Sequence, residues 1–339
     1  MNIAYILYPE VVISNKSNGI RSQAETWALD LRMLGHKVDL VNNWDNYDWK
    51  SYDIIHLFGC SGSWQDDVSR RLANINPNIC FSPIIDPKPV SLEKISKVIK
   101  DKVRENFPVF RNIRAKKYPF IKQLYARTDC EFDYLSKVQG VDSMKIAKVP
   151  LSFTPALEEK IAENVELGRE QFCLHISSLT QKRKNVISLI KAAQKYDFKL
   201  VLAGNMGTEK EFEVLKKAIG NNANIEVLGY ISEEKKIELY KKAKVFALPS
   251  FYEGVGIVAV DAALMGCEIV VTDIPGPKEY YAGMASVVNP YNVDEIGLSI
   301  KERLNGVLVS QPKLSEYISK EFSPNRVVKL LIDSYRKLL

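Results

Sequence analysis

The chain has 339 residues, of which 46% are hydrophobic and 26% are charged, so it is a globular rather than a disordered protein and is long enough for two domains. No run approaches the ~18 consecutive apolar residues of a spanning helix, and the N-terminal MNIAYILYPEVV lacks the basic start of a secretory signal. We therefore expect a cytoplasmic protein. Its five scattered cysteines form no C-x-x-C pair, which argues against disulfides and zinc and predicts buried free thiols.

The elements of the first half alternate between strand-like and helix-like patterns. Short apolar runs predict six strands, at 2–8, 36–41, 53–59, 78–85, 124–127 and 145–150. A helical period predicts a helix over 23–35, and Thr128 with Glu131 reads as a capping box that opens a helix reaching Gly140. His56 lies inside a predicted strand, which favours a satisfied core histidine.

A basic segment, residues 88–122, lies between the fourth and fifth predicted strands. It carries eleven Lys or Arg against three acids, within a net charge of +6 for the whole chain, and four aromatic residues interrupt it. Such a segment suits contact with an anionic membrane surface or with phosphate groups, and it equally suits a solvated helix face.

The second half repeats the alternation with clearer signals. It predicts strands at 172–177, 199–204, 224–229, 244–250 and 267–273, and helices at 184–196, 208–219, 232–243 and 323–339. Ser232 and Ser323 are the expected caps of two of these helices. The proline-containing stretch 150–160 is the expected linker. We therefore predict an α/β protein of two doubly wound, Rossmann-like domains facing each other across a cleft, formed by 1–155 with the helix 323–339 packing back, and by 156–322.

Ligands of such sheets bind at the carboxyl ends of the strands, so the loops that follow strands are the candidate sites. The loop 9–23 places Gly19 just before a helix, where backbone N–H groups are able to meet an anion. In SLTQKRKN, Lys182, Arg183 and Lys184 precede a helix whose positive end they oppose, which favours an anion bound between them, although a basic surface turn gives the same pattern.

The stretch EGVGIVAVD follows the predicted strand 244–250. Gly254 and Gly256 permit a tight turn and a close backbone approach to a ligand, and a helix is expected from Ile257. Asp261 then lies in a mostly apolar helix and needs a hydrogen-bonding partner. A sugar diol and a structural Arg or Ser satisfy that need equally well.

These motifs together resemble the retaining GT-B glycosyltransferases of the family-4 type. The similarity is strongest over 172–290, where the stretch from Glu253 to Asp261 resembles the E-x7-E signature of that family. The resemblance implies that an N-terminal acceptor-binding domain faces a C-terminal domain for a nucleotide-diphosphate sugar. It also implies a hexosyl- or N-acetylhexosaminyl-transferase that works in surface polysaccharide or O-antigen assembly.

The resemblance also implies roles for individual residues. Glu253 would lie near the donor sugar, the backbone of Gly254, Val255 and Gly256 would meet the sugar or the pyrophosphate, and Asp261 would bind the ribose hydroxyls. Further expected contacts are Arg183 and Lys184 with the diphosphate, Tyr230 and Ile231 with the base, and Gly19 with the diphosphate from the other domain.

The chain departs from the family pattern at three positions. Asp261 replaces the second glutamate and is one methylene shorter. Ser178 stands where the phosphate loop usually has an arginine, and we expect Arg183 to substitute. Asp86 lies near the position of a histidine that the family often carries after its fourth strand, and it is the expected group that orients the acceptor.

The predicted reaction transfers a sugar from UDP or GDP to a hydroxyl of a saccharide, or of a saccharide linked to a lipid diphosphate, with retained configuration. No Asp-x-Asp occurs in the sequence, so no essential metal and no cofactor are expected. A nucleic-acid partner is not expected, and peripheral membrane contact would run through 88–122. The alternatives are a catalytically silent GT-B relative and a non-catalytic two-domain protein that binds sugar or nucleotide. A dehydrogenase is excluded, because the loop 9–23 lacks G-x-G-x-x-G.

Overall fold

The computed structural model describes residues 1–13, 19–42, 44–59, 63–85, 118–161 and 168–339. They divide into two compact units: the first comprises Met1–Ser152 and Pro324–Leu339, and the second comprises Phe153–Ser323. The boundary thus falls inside the stretch 150–160 that was predicted as a linker. Asp86 and all but the last five residues of the basic segment 88–122 lie outside the described residues.

Each unit contains one six-stranded sheet in which all the strand pairs are parallel. The strands of the first unit are β1 Asn2–Leu7, β2 Lys37–Leu40, β3 Ile54–Phe58, β4 Ile79–Ser82, β5 Gln123–Ala126 and β6 Ile146–Lys148. Those of the second unit are β7 Glu170–Ile176, β8 Lys199–Ala203, β9 Ile225–Gly229, β10 Ala243–Leu248, β11 Glu268–Thr272 and β12 Ser286–Val288. The orders are β2-β1-β3-β4-β5-β6 and β12-β11-β10-β7-β8-β9, so both sheets are doubly wound as predicted.

The helices connect these parallel strands, as the crossovers of a parallel sheet require. In the described ranges they are α1 Pro9–Ile13, α2 Gly19–Met33, α3 Ser63–Ala73, α4 Asp129–Asp133, α5 Val186–Tyr196, α6 Glu209–Ile219, α7 Glu233–Lys242, α8 Ile257–Leu264, α9 Pro275–Lys278, α10 Val293–Leu304, α11 Lys313–Glu321 and α12 Pro324–Arg336. The patterns read from the sequence did not predict β12, α3 or the helices α9 to α11.

Two local predictions need correction. The stretch 9–23 is not one long loop: Pro9, whose fixed φ suits the first turn of a helix, opens α1, and α2 already begins at Gly19. Thr128 does cap α4, because its Oγ1 accepts from the backbone N–H of Glu131 at 3.0 Å. The capping box is incomplete, however, since Glu131 directs its carboxylate to Arg127, whose Nε donates to it at 3.0 Å.

The first unit buries a polar network between its sheet and the C-terminal helix α12. The hydroxyl of Tyr335 lies 2.5 Å from Nδ1 of His56 and 3.1 Å from the hydroxyl of Tyr5. His56 is fully buried, and burial holds its pKa well below the usual value. His56 is therefore a neutral, hydrogen-bonded core histidine, as its position in the sequence predicts.

The second unit buries one face of its sheet under α5 and α10. Leu189 and Ile190 of α5 and Ile296 and Ile300 of α10 are fully buried in a cluster with residues of β7, β8, β10 and β11. The apolar period of α5 that was read from the sequence is the face that makes this contact. The packing fixes the strands whose carboxyl ends carry the candidate site.

Candidate functional site

The loops that follow β7, β10 and β12 meet at the carboxyl edge of the second sheet. The side chain of Asn185 donates to the carbonyl oxygen of Pro249 at 2.9 Å and to that of Pro290 at 2.6 Å, so one buried amide joins all three loops. The N–H of Phe251 donates to the carbonyl oxygen of Arg183 at 2.8 Å. Asn185 has a φ of 58°, a left-handed conformation that asparagine tolerates better than most residues.

Glu253 is the centre of an ion-pair cluster on these loops. Its Oε2 accepts from Nζ of Lys184 at 2.5 Å and from the hydroxyl of Ser250 at 3.3 Å, and its Oε1 accepts from Nη1 of Arg183 at 3.1 Å. The side chains of Glu253 and Lys184 are only 9% and 10% exposed, whereas Arg183 is 27% exposed. Three predicted site residues are therefore brought together, and two of the partners are shielded from water.

The electrostatics of the cluster keep Glu253 ionised. Burial acts to raise the pKa of Glu253, but the Lys184 ammonium and the Arg183 guanidinium outweigh burial, and the pKa lies below its usual value. The same carboxylate explains how three basic residues, Lys182 to Lys184, are accommodated in a 3-10 turn directly before α5. Their charge opposes the positive end of the helix, and Glu253 offsets part of it.

The glycine turn that follows Glu253 has the backbone form that was predicted for it. Gly256 has a φ of 73°, and a Cβ there would lie 2.8 Å from Cδ2 of Leu248, so the position favours glycine for two reasons. Helix α8 begins at Ile257, as expected. The turn is also closely backed by α9, because a Cβ on Gly276 would lie 2.1 Å from the carbonyl oxygen of Gly254.

Asp261 lies in α8 with both carboxylate oxygens bonded to one residue of the same unit. The backbone N–H of Thr154 donates to Oδ1 at 2.9 Å, and the Thr154 hydroxyl donates to Oδ2 at 2.7 Å. The partner that the sequence required for Asp261 is thus a structural hydroxyl together with a backbone N–H. Sequence reasoning missed Thr154, because the two residues are 107 positions apart.

The other predicted residues follow the strand ends of their own sheets. Ser178 is half-buried in the loop after β7. Tyr230 and Ile231 follow β9, with Tyr230 88% exposed and Ile231 half-buried. Gly19 is the first residue of α2 in the first unit, and a Cβ there would meet nothing within 4 Å.

His175 is a further buried group beside the cluster that the sequence reasoning did not single out. Because a carbonyl oxygen only accepts, Nδ1 of His175 donates to that of Ala247 at 2.8 Å, and Nε2 then accepts from the hydroxyl of Ser177 at 2.7 Å. Burial lowers the pKa of His175 to about 4, so the imidazole is neutral at pH 7. Its position in β7 next to the loop that carries Lys184 was the available signal.

The edge of the second sheet therefore offers two cations, a carboxylate and a helix N-terminus at a glycine turn. Such an arrangement is suited to an anionic ligand with hydroxyl groups. In the described ranges, no cluster of three His, Cys, Asp or Glu is placed to hold a metal ion. No helix in those ranges has the length and hydropathy needed to cross a membrane.

Comparisons with known proteins concern mainly the second unit. Residues 158–321 match the family model described as glycosyl transferases group 1. The O-antigen chain mannosyltransferase B of Escherichia coli is 27% identical over 57% of this chain and 48% of its own length. A D-inositol 3-phosphate glycosyltransferase of Pseudarthrobacter chlorophenolicus is 28% identical over 45% of this chain and 40% of its own length. The chain spans about half the length of the curated relatives it matches.

Solved structures resemble the whole chain. A glycosyltransferase from Rickettsia africae superposes with a TM-score of 0.71 at 17% identity and covers 99% of this chain and 98% of its own. HepE from Anabaena, crystallised in complex with UDP, superposes with a TM-score of 0.72 at 15% identity and covers 99% and 100% of the two chains. At these identities the similarity establishes the fold.

Proposed function

We propose that the chain is a glycosyltransferase that moves a sugar from a nucleoside diphosphate to a hydroxyl group of a saccharide, because residues 158–321 match the family model described as glycosyl transferases group 1. The proposal includes retention of the anomeric configuration and catalysis without an essential metal. It assigns the nucleotide sugar to the second unit and the acceptor to the first.

The cluster of Glu253, Arg183 and Lys184 at the glycine turn carries this proposal. When a nucleoside diphosphate departs, negative charge develops on its phosphate oxygens. Cations that the protein already holds in place stabilise this charge without having to reorganise. Arg183 suits bidentate binding of phosphate oxygens, and Lys184 suits a point contact. The N–H groups of Gly254, Val255 and Gly256 precede or open α8, whose positive end favours the same anion.

The remaining assignments complete the proposed site. Glu253, which lies close to both cations, accepts a hydrogen bond from a hydroxyl of the donor sugar. Ser178 supports the phosphate loop. The base contacts the backbone at Tyr230 and Ile231. Gly19 contributes to the diphosphate site, and Asp86 orients the acceptor.

The names of the relatives support a role in assembling surface polysaccharide. Two of them are an O-antigen chain mannosyltransferase and the serotype-specific mannosyltransferase WbdA of Escherichia coli. UDP in the HepE structure supports a nucleoside diphosphate as the carrier. We propose UDP- or GDP-linked hexoses as donors, and a saccharide or lipid-diphosphate-linked saccharide as the acceptor at the inner face of the membrane.

The decisive experiment screens the purified chain against UDP- and GDP-sugars by thermal shift and then follows release of the free nucleotide with and without saccharide acceptors. Lys184→Ala is expected to lose at least 100-fold in turnover, as is typical when one preorganised charge is removed. The matched control is Lys191→Ala, because Lys191 is an exposed lysine on α5. Equal rates in both variants would exclude the proposed site, and nucleotide binding without release in the presence of any acceptor would indicate a catalytically silent relative.

Membrane contact through 88–122 is tested separately by co-sedimentation with anionic vesicles. Binding is expected at low salt and should weaken at high salt, because charge attraction to a surface is screened. Failure to bind at low salt would remove this part of the proposal and leave the sugar transfer unaffected.

A further inference from the structure

Both carboxylate oxygens of Asp261 are hydrogen-bonded within the chain. Each carboxylate oxygen accepts one hydrogen bond from Thr154, at 2.9 Å from the backbone N–H and at 2.7 Å from the hydroxyl. Asp261 is only 1% exposed. A ligand that required this carboxylate would have to share it with Thr154 and reach a group that water barely touches.

The surroundings of Asp261 make Thr154 its principal source of stabilisation. The neighbouring Val260 and Ala262 are fully buried, and burial raises the pKa of Asp261 while the two bonds from Thr154 lower it. Lys236 acts to lower this pKa and Glu233 acts to raise it. These two residues bond to each other at 2.5 Å, so neither is a dedicated partner of the aspartate.

Thr154 lies where the chain enters the second unit. It precedes Pro155, the first residue of the 3-10 turn Pro155–Lys160, and its hydroxyl makes no capping bond with that turn. The preceding N–H, of Phe153, donates to the carbonyl oxygen of Phe322 at 3.1 Å. Two successive residues of the entering segment are thus fixed, one to the end of α11 and the other to the middle of α8.

We propose that Asp261 and Thr154 form a tie that fixes α8, and with it the glycine turn at Gly256, to the entering segment, and that Asp261 does not bind the ribose of the donor. Both are positioning residues in this proposal. The length of the side chain fits this role, because the aspartate reaches both donors of Thr154 at 2.9 and 2.7 Å and a glutamate would be longer by about one C–C bond, ~1.5 Å. The statement about the ribose rests on the proposed function, whereas the tie itself does not.

The first experiment measures the stability of the full chain by circular dichroism. Thr154→Val removes a hydrogen bond to a charged, buried carboxylate and is expected to lower Tm by about 5 °C, while Thr154→Ser should restore most of the loss. Asp261→Asn keeps the volume of the side chain. The double variant Thr154→Val/Asp261→Asn should lose less Tm than the sum of the losses in the two single variants. Thr272→Val is the matched control, because Thr272 is fully buried and its hydroxyl oxygen has no hydrogen-bond partner among the described residues.

The second experiment compares binding of UDP and GDP with binding of their 2′-deoxy and 3′-deoxy forms by calorimetry. The proposal predicts that the loss of affinity on removing a ribose hydroxyl is the same, within about twofold, in the wild type, Asp261→Asn and Thr154→Val. It also predicts that Thr154→Val weakens UDP or GDP several-fold, that Thr154→Ser restores the affinity, and that Thr272→Val does not change it.

Three results would overturn the inference. The first is an Asp261→Asn variant that binds the deoxy nucleotides as tightly as UDP or GDP. The others are a Thr154→Val variant with wild-type Tm and a double variant whose loss of Tm equals the sum of the two single losses. If the wild type binds neither UDP nor GDP, the proposed function fails. The stability measurements then still decide whether the tie exists.

Discussion

The pairing of Glu253 with Lys184 predicts a strong energetic coupling that a double-mutant cycle measures. Glu253→Gln keeps the shape of the side chain but removes the anion that lies 2.5 Å from Lys184, whose side chain is 10% exposed. Removal of one partner of a buried pair costs about 3–5 kcal/mol, and the lower end applies here because Arg183 is 27% exposed and is partly solvated. We therefore expect Glu253→Gln to lose about 3 kcal/mol of unfolding free energy.

Lys184→Met should cost less, about 2 kcal/mol, since Glu253 retains Arg183 at 3.1 Å. The double variant Glu253→Gln/Lys184→Met removes both charges of the pair and should lose about 3 kcal/mol of unfolding free energy in total. The coupling free energy is then about 2 kcal/mol, within the range measured for residues in one ion-pair network.

Urea unfolding offers an internal control in the same sample. All four tryptophans of the sequence, Trp27, Trp44, Trp49 and Trp64, lie in the first unit, so tryptophan fluorescence follows that unit and far-ultraviolet circular dichroism follows both. The circular dichroism transition should shift in the variants while the fluorescence transition should not. Additive losses in the double variant would refute the coupling, and an equal shift of the fluorescence transition would refute its assignment to the second unit.

The pKa of His175 is lowered to about 4, so the unfolded state binds the additional proton first as the pH falls. The free energy of unfolding should therefore fall by up to roughly 3 kcal/mol between pH 6.5 and pH 4. A series of Tm measurements against pH should show this decline in the wild type and a flatter curve in His175→Gln. Gly276→Ala places a Cβ 2.1 Å from a backbone oxygen of the glycine turn and should weaken UDP or GDP at least tenfold in calorimetry, whereas Gly168→Ala, with nothing within 4 Å, should not. Tyr335→Phe leaves buried His56 without its partner at 2.5 Å and should cost about 1–3 kcal/mol in the urea transition seen by tryptophan fluorescence; an unchanged midpoint would contradict the network.

Local patterns in the sequence predict most of the elements that build the two sheets. The apolar runs locate the described strands of both sheets except β12, and the glycines after Glu253 correctly predict the start of α8 at Ile257. These features depend on neighbouring residues, so periodicity and turn chemistry are sufficient to find them.

The pairings that give the site its character are long-range and escape such reasoning. Lys184 meets Glu253 across 69 positions, and Thr154 meets Asp261 across 107. Even the local capping box at Thr128 is incomplete, because Arg127 and the fold around it compete for the carboxylate of Glu131. Sequence reasoning identifies which groups need a partner, and the tertiary structure decides which partner each of them receives.

The return of α12 to the first unit has a consequence for synthesis on the ribosome. Val327, Leu331 and Tyr335 belong to the core that covers β1 and β3, so this core cannot close before the last helix has been translated. Phe153–Ser323 is an uninterrupted segment that is synthesised before α12, and its core uses no residue of that helix. We therefore expect the second unit to fold first, in the reverse of the usual N-to-C order. Until α12 is in place, the apolar face of α2 stays exposed, and we expect chaperones to bind it.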